Sequence, residues 1–579
     1  MGEIEDKAKI HWFDRLQEES DVRRDQTFLR EADLNLRFVR GDQWPGTPPG
    51  IGSPDSMQYK FVMNVVARSV KRKTALLTDS RPGIEVLSRA PNRRGTAETF
   101  KGAILAMYDE QSLEQQFAHE IARAITIGTA CAVPVFDPTL DYGRGDVAIR
   151  FYDPRFVSFD PSVTRATQMH LAEFTQVRDV LPVNLIREMY PNRGGEVEAS
   201  TKWSTYDGRP SASPGAFGRV LSAMQRVWKG DSRTGELSGV PRAELRHTWY
   251  KDFQRDDRGE AKFGIPRVLR HGVDAEGVLL VDESFPYIHG RHPLHLFDWD
   301  IEHEHPWGVP EVSGMRRIQY SLNRLVGQIM ENTLLTNRVI VQADTDALDA
   351  KTWTALTSMA NGLILRTKLG RKLTVTNPAV LPPHLLTLVE LLMGGVDVVS
   401  GLSEASHGDR PPGIISGAAI SELQQAAQSI VRLEARAFED WLARIFQQVL
   451  ALIWSYYTTD RLLQLLGPSG DLLTFEFERS KFLQNDEGGT MPEDAWQDFR
   501  FRIVPGSSLA STRVQRGVMA ANLYQLGLLP GSEVLRASEW PAPDETVKLA
   551  RKERAELGPL AVPHGGKQIR LPGSRARGL

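Results

Sequence analysis

Between Ala418 and Tyr457 the chain contains neither glycine nor proline. Apolar residues recur there at Ile420, Leu423, Ala427, Ile430, Phe438, Trp441, Ile445, Val449 and Ile453. That three-and-four spacing marks one face of a single helix. At about 1.5 Å per residue the helix would run roughly 60 Å, too long for a small domain to enclose. An apolar helical segment, HLLTLVELLMGGVDVVSGL, precedes it, and a polar, turn-rich stretch, SEASHGDRPPGIISG, separates the two.

The remaining pattern alternates helices with short strands. Residues 4–40 read as one charged amphipathic helix, closed by the Gly/Pro-rich GDQWPGTPPGIGSP. A second helix is expected over about 61–77, then a strand at GIEVLSR. A long helix follows over 96–127, stopped by Gly128. ACAVPVFDP and DVAIRFYDP alternate as strands joined by a hairpin at LDYGRG. Residues 192–238, rich in Gly, Ser, Arg and Pro, read as a long mobile insertion. Strands resume at ELRHTWYKDF, PRVLRHG and GVLLVDES, and 308–336 is helical again. RVIVQA, GLILRT and KLTVTNP predict a small β unit around a short helix at 352–359. After Tyr457, DLLTFEFE and DFRFRIVPGSS are strands, and short helices are expected at 511–527, 532–538 and 544–557. The fold class is α+β, without internal repeats.

Composition narrows the function more than the fold. The 579 residues carry a formal net charge of −3, so the chain as a whole is not a basic nucleic-acid clamp. The basic tail from Gly558, with Lys567, Arg570, Arg575 and Arg577, is the local exception and reads as disordered. One cysteine, Cys131, excludes an internal disulfide and a thiolate zinc cluster. The charged N-terminus is no signal peptide, and Asp6 breaks the pattern for myristoylation at Gly2. No window of about 18 residues is free of charge, so no membrane span or membrane partner is expected.

Catalytic signatures are missing: no GxxxxGK[ST], no GxGxxG after a strand, no HExxH and no GxSxG. Cys131 lies in an apolar run and reads as a buried, inert thiol. One cluster admits chemistry. In HGRHPLHLFDWDIEHEHPW, five of the 13 histidines are interleaved with Asp298, Asp300, Glu302 and Glu304. His303 and His305 would share a strand face, and with Asp300 they form the candidate metal set. A metal-dependent hydrolase built on residues 289–305 is therefore one competing reading, and a helical scaffold or adaptor without a channel is another. The expectation from the missing signatures is a protein that is not an enzyme and carries no cofactor.

Several blocks, taken in order, resemble the portal proteins of tailed bacteriophages, most of all the podovirus-type branch. RFVRGDQWP is similar to the family's early G-x-Q-W, followed by FVMNVVARSVKRKTALLTDSRPGIEV with its Asn-led helix. AIRFYDPRFVSFDPSV resembles the family's P-x-x-V-x-x-D-P. WGVPEVSGMRRIQYSLNRLVGQIMEN places Gly308, Gln319 and Asn323 as a first stem helix would, and VVSGLSEASHGDRPPGIISGAAISELQQAAQ resembles the tunnel-loop region. The resemblance covers about residues 35–550.

It implies a dodecameric homo-oligomeric ring at one capsid vertex, a structural conduit for double-stranded DNA during packaging and ejection. Residues 1–310 would form the N-terminal wing region and 311–336 the first stem helix. Residues 337–382 would be the clip, 383–403 the second stem helix and 404–416 the tunnel loop. The long wing helix would span 417–457, wing strands 458–510, the crown 511–557 and a disordered basic tail 558–579. The implied partners are the major capsid protein and scaffold, the terminase large subunit, and head-completion or adaptor proteins. The implied location is the virion, with assembly in the host cytoplasm. A channel must pass a polyanion without gripping it, because every phosphate contact deepens the well a motor must escape. Glu331, Glu390 and Asp397 are then the channel acids. The loop residues meeting DNA are Glu404, Ser406, His407, Asp409, Arg410 and Ile414, and Lys368, Arg371 and Lys372 supply weak phosphate contacts in the clip.

Overall fold

The computed structural model describes residues 2–23, 26–44, 61–78, 82–90, 92–200, 240–252, 268–301, 306–336, 340–343, 373–376, 382, 384–401, 429–458, 460–466, 472–484, 488–504, 510–537, 546–547 and 552. The N-terminal helical pattern forms α1 (Gly2–Arg23) and α2 (Gln26–Val39), on either side of residues 24 and 25. Helix α3 (Val65–Thr78) leads to strand β1 (Ile84–Ser88). The single helix expected over 96–127 is instead two, α4 (Arg94–Glu110) and α5 (Leu113–Ile127). Ser112 between them adopts φ 50°, a left-handed conformation that ends one helix and redirects the next. The chain at Gly128 (φ 101°) does stop α5.

Strands β2 (Thr129–Asp137) and β3 (Asp146–Tyr152) pair antiparallel through the expected hairpin, whose Gly143 and Gly145 have positive φ. Two strands escaped sequence reading, β4 (Val157–Phe159) and β5 (Phe174–Pro182), as did α6 (Val183–Met189). With β6 (Arg242–Asp252), β7 (Val268–Ala275) and β8 (Val278–Ser284), they make a five-stranded antiparallel sheet in order β4-β5-β6-β7-β8. Strand β9 (His295–Asp298) joins β2 and β3 in a second sheet, order β3-β2-β9.

Helix α7 (Glu311–Thr336) follows, then β10 (Ile340–Ala343) paired with β11 (Leu373–Thr376), and α8 (His384–Val399). The long rod is described as α9 (Ser429–Tyr456), 28 residues or about 42 Å; its expected start over 417–428 lies outside the described residues. Strand β12 (Arg461–Leu466), also unanticipated, pairs with β13 (Leu472–Phe477). Strand β14 (Phe499–Ile503) pairs with β1 across more than 400 residues of sequence. Helices α10 (Ala510–Gln525) and α11 (Gly531–Ala537) follow.

The main core forms around α9. Phe438, Trp441, Ile445, Phe446, Val449 and Ile453 are buried against α3–α5, the β2 sheet and β14. Trp441 stacks on Phe297 at 5.4 Å, and Phe446 on Phe501 at 4.9 Å. Cys131 is fully buried in a second cluster with Val133, Trp249 and Leu296. Helix α1 docks on the five-stranded sheet by Phe13, which is completely buried. A Cβ on Gly272 would lie 2.5 Å from that ring, so a bare backbone makes the socket. Gly128 and Gly308 are equally constrained: a Cβ on Gly128 would sit 2.0 Å from the Gly308 carbonyl oxygen.

Candidate functional site

Helices α7 and α8 run antiparallel as a stalk leaving the body beside α3. Two glycines face the opposite helix. A Cβ on Gly314 would meet Val399 at 3.2 Å, and one on Gly395 would meet Ile318 at 3.8 Å. Side chains of α2, α3, α8 and α9 hold the base of this stalk.

The first anchor is a network of amides. Gln319 and Asn323, one turn apart on α7, are both fully buried. Gln319 Oε1 accepts from the backbone N–H groups of Val65 (3.0 Å) and Val66 (3.2 Å), donors of the first turn of α3 that have no partner within the helix. Its Nε2 donates to the Met63 carbonyl at 2.6 Å and to Asn323 Oδ1 at 2.8 Å. Asn323 Oδ1 also accepts from Met63 N at 3.1 Å, and its Nδ2 donates to Gln43 Oε1 at 2.5 Å. Gln43 Nε2 donates to the Phe38 carbonyl and to Asn64 Oδ1. Asn64 Oδ1 accepts from Ala67 N at 3.1 Å, an N-cap on α3. Trp44 Nε1 donates to the Phe61 carbonyl. The polar residues of three separate sequence blocks, Gln43-Trp44, Asn64 and Gln319/Asn323, thus meet at one place.

The second anchor is ionic. Lys73 of α3, 2% exposed, bonds Glu311 Oε2 of α7 at 2.6 Å and Glu434 Oε1 of α9 at 2.7 Å. Its ammonium also lies 5.1 Å over the Trp299 ring, and Trp299 Nε1 donates to Glu311 Oε2. Burial raises both carboxyls against the pull of Lys73: Glu311 goes upward and Glu434 is pushed up to about 7. A third contact joins α3 to the other stalk helix, Arg72 to Asp397 at 3.9 Å. On α2, Glu31 pairs with Arg316, and Asn35 bonds Ser313.

The outward face of α8 is built differently. Leu386 (57% exposed), Leu391 (70%) and Val398 (79%) stand in solvent, with Leu388 and Val399 partly so, and Val396 is the residue of this helix that is buried. Gly394 and Gly395 lie within the same helix, and a Cβ on Gly394 would meet nothing within 4 Å among the described residues.

Glu331 sits partly buried near the end of α7, and Glu390 is exposed on α8. In the antiparallel register Glu331, Glu390 and Asp397 occupy successive levels, about 10 Å apart along the stalk. They form a ladder rather than a cluster. Residues Glu404, Ser406, His407, Asp409, Arg410, Ile414, Lys368, Arg371, Lys372, His303 and His305 lie outside the described residues. Asp300 is exposed, its Oδ1 accepting from Ile301 N.

The other histidines of the 289–305 cluster are structural. His289, His292 and His295 are buried, and burial holds each near 3, so they are neutral. His292 is engaged at both nitrogens, by Thr175 Oγ1 at 3.1 Å and by the Ala172 carbonyl at 2.8 Å. Among the described residues, no group of three His, Cys, Asp or Glu side chains is arranged to hold a metal ion, and no helix is long and apolar enough to cross a membrane.

Sequence reading missed Lys73, Glu311 and Glu434. A lysine in the amphipathic helix 61–77 carries no mark of burial, and its partners lie more than 230 residues away. Residues 14–565 match the family described as phage P22-like portal protein. No curated protein matches the chain.

Proposed function

The chain belongs to the phage P22-like portal protein family, and from that premise we propose that its copies close into a ring whose bore passes double-stranded DNA. Membership makes it a bacteriophage portal protein, a head-to-tail connector serving genome packaging. The finer reading is a dodecamer at one capsid vertex that docks the terminase motor, then head-completion proteins, and acts without catalysing a reaction.

The observation that supports the ring is the α8 face. Leaving Leu386, Leu391 and Val398 in water forgoes about 1.5–3 kcal/mol for each side chain that could be buried. Leu391 and Val398 share one side of α8, with Leu386 about 140° round the helix from Leu391, so apolar side chains are exposed on more than one side, as on a helix covered by a partner. Gly394 points the same way. A helix-interior glycine costs about 1 kcal/mol relative to alanine, and no contact among the described residues needs its small size. Close approach by a neighbouring stalk would.

In this reading α7 and α8 are the stem, the segment holding β10 and β11 is the clip, residues 404–416 are the tunnel loop, and α9 is the spine of the wing. The acid ladder Glu331, Glu390 and Asp397 keeps part of the bore from gripping phosphate. Negative-stain microscopy of the purified protein tests the proposal: rings with a central hole are expected, and compact monomers at every concentration would overturn it. Deleting Ser406–Ile414 should leave the rings intact and impair packaging or DNA retention.

A further inference from the structure

A closed ring of identical chains is held head to tail: a surface on one copy meets a different surface on the next. The exposed side of α8 therefore needs a counterpart elsewhere on the same chain, and the stalk itself carries one. Gly395 on α8 and Gly314 and Ile318 on α7 mark the sides where the two helices face each other. At about 100° per residue, Leu386, Glu390 and Asp397 fall on the far side of α8, turned away from α7. Arg316 falls on the far side of α7, with Tyr320 beside it. The two sets are opposite edges of one two-helix stalk.

The edges are complementary in charge. The α7 edge borders a groove of about 470 Å³ against α2, lined by Leu34, Phe38 and Tyr320 and by Arg37, Arg316 and Arg317. Arg37 is held by Asp42, and Arg316 by Glu31. Arg317, and Arg324 two turns further along the same flank, are exposed and have no acidic partner among the described residues. Helix α8 carries Glu390 and Asp397 and neither lysine nor arginine. Asp397 reaches Arg72, whereas Glu390 is exposed and has no ion-pair partner among the described residues.

The edges also match in height. Counting along both helices from Gly395 beside Ile318, Gly394 is level with Gln319 and Glu390 with Asn323. Their neighbours in sequence are Tyr320, 37% exposed, and Arg324. Rotation about a ring axis along the stalk shifts nothing along that axis, so equal heights meet in adjacent copies. A large side chain then arrives at the open space over Gly394, and a cation at the unpaired acid.

Resting on the ring proposed above, we infer that each copy lays the outer edge of its α8 along the α7 edge of the next copy. Glu390 answers Arg324 and Arg317, and Tyr320 closes over Gly394. The occupant of the groove edge is thus a second copy of this chain. The contact also bears on DNA. Arginines that would grip phosphate are engaged by the neighbour's acid, so Glu390 keeps the bore from holding DNA by neutralising cations.

Cross-linking of the full-length protein reads the contact directly. Cys131 is completely buried, so cysteines introduced at the surface react alone. A chain carrying Arg324→Cys and Glu390→Cys, treated with a short bis-maleimide, should give a ladder of covalent multimers on a denaturing gel, and neither single variant should. A ladder from one cysteine alone marks a two-fold contact and overturns the inference. Charge reversal is the second measurement. Glu390→Arg, and Arg317→Glu with Arg324→Glu, should each raise the concentration needed for half-assembly by about tenfold or more, and combining all three should restore most of it. Reversals that leave assembly unchanged, or a combination no better than its parts, contradict the pairing. A native chain that forms no rings defeats the ring reading itself; native rings without the ladder defeat this contact alone.

Discussion

The two ends of one stalk treat polarity in opposite ways. At its base the molecule buries charged and amide groups and pairs them within the chain: Lys73 between two glutamates, each of which keeps one buried oxygen unbonded, and Gln319 and Asn323 among backbone donors. Along α8 it leaves leucines and valines in water. A chain meant to function alone would invert that arrangement. The base is finished within one copy, so it can hold a fixed angle between stalk and body. The outer face is unfinished, so its stability is deferred to assembly.

The sharpest way to break the finished end is Lys73→Met. It strands two carboxylates in a buried site and should cost about 3–5 kcal/mol, read from denaturant unfolding. Adding Glu311→Gln and Glu434→Gln should return most of it, because the loss comes from uncompensated charge. Gln319→Leu is next. It removes the acceptor of the Val65 and Val66 N–H groups at the start of α3 and the donor to the Met63 carbonyl and Asn323 Oδ1, for a loss of about 2–3 kcal/mol.

Acidity separates the ionic anchor from the amide anchor. Glu434 is raised in the folded state, so its contribution is full below the ordinary carboxylate range and fades as pH rises through about 7. The stability difference between the native protein and Glu434→Gln should therefore fall with pH over that window, at most about 1.4 kcal/mol per unit, and flatten above it. Histidines 289, 292 and 295 work in the other direction, losing stability as pH drops below their ordinary range, but they cancel in this difference. The smallest effect belongs to the unfinished end. Gly394→Ala should stabilise a dissociated chain by about 0.5–1 kcal/mol through helix propensity, yet weaken assembly if a neighbour packs there. Comparing unfolding of the monomer with the yield of assembled particles distinguishes the two.

Much of this was legible in sequence. The apolar period of α9 named its buried face, and Gly128 marked the end of α5. The blocks around Gln43, Asn64, Gln319 and Asn323 were visible as text, but not as a single network, because hydrogen bonds across some 280 residues leave no periodic trace. The break at Ser112 was hidden, since a left-handed serine looks like any other. Strands β4 and β5 were lost because Asp-Pro turns and a 3₁₀ segment surround them. In the histidine cluster the burial of His289, His292 and His295 was equally hidden, because spacing shows which residues could share a face and not which are enclosed; His303 and His305 lie outside the described residues.

The central claim is that the exposed face of α8 is an assembly surface. Leu386→Glu combined with Leu391→Glu tests it most directly, with particle mass measured in solution alongside the unfolding midpoint. Both side chains already face water, so the midpoint of the dissociated chain should move by less than about 0.5 kcal/mol equivalent, while the native protein forms rings and the variant remains monomeric. A variant that assembles into rings as completely as the native chain would contradict the account.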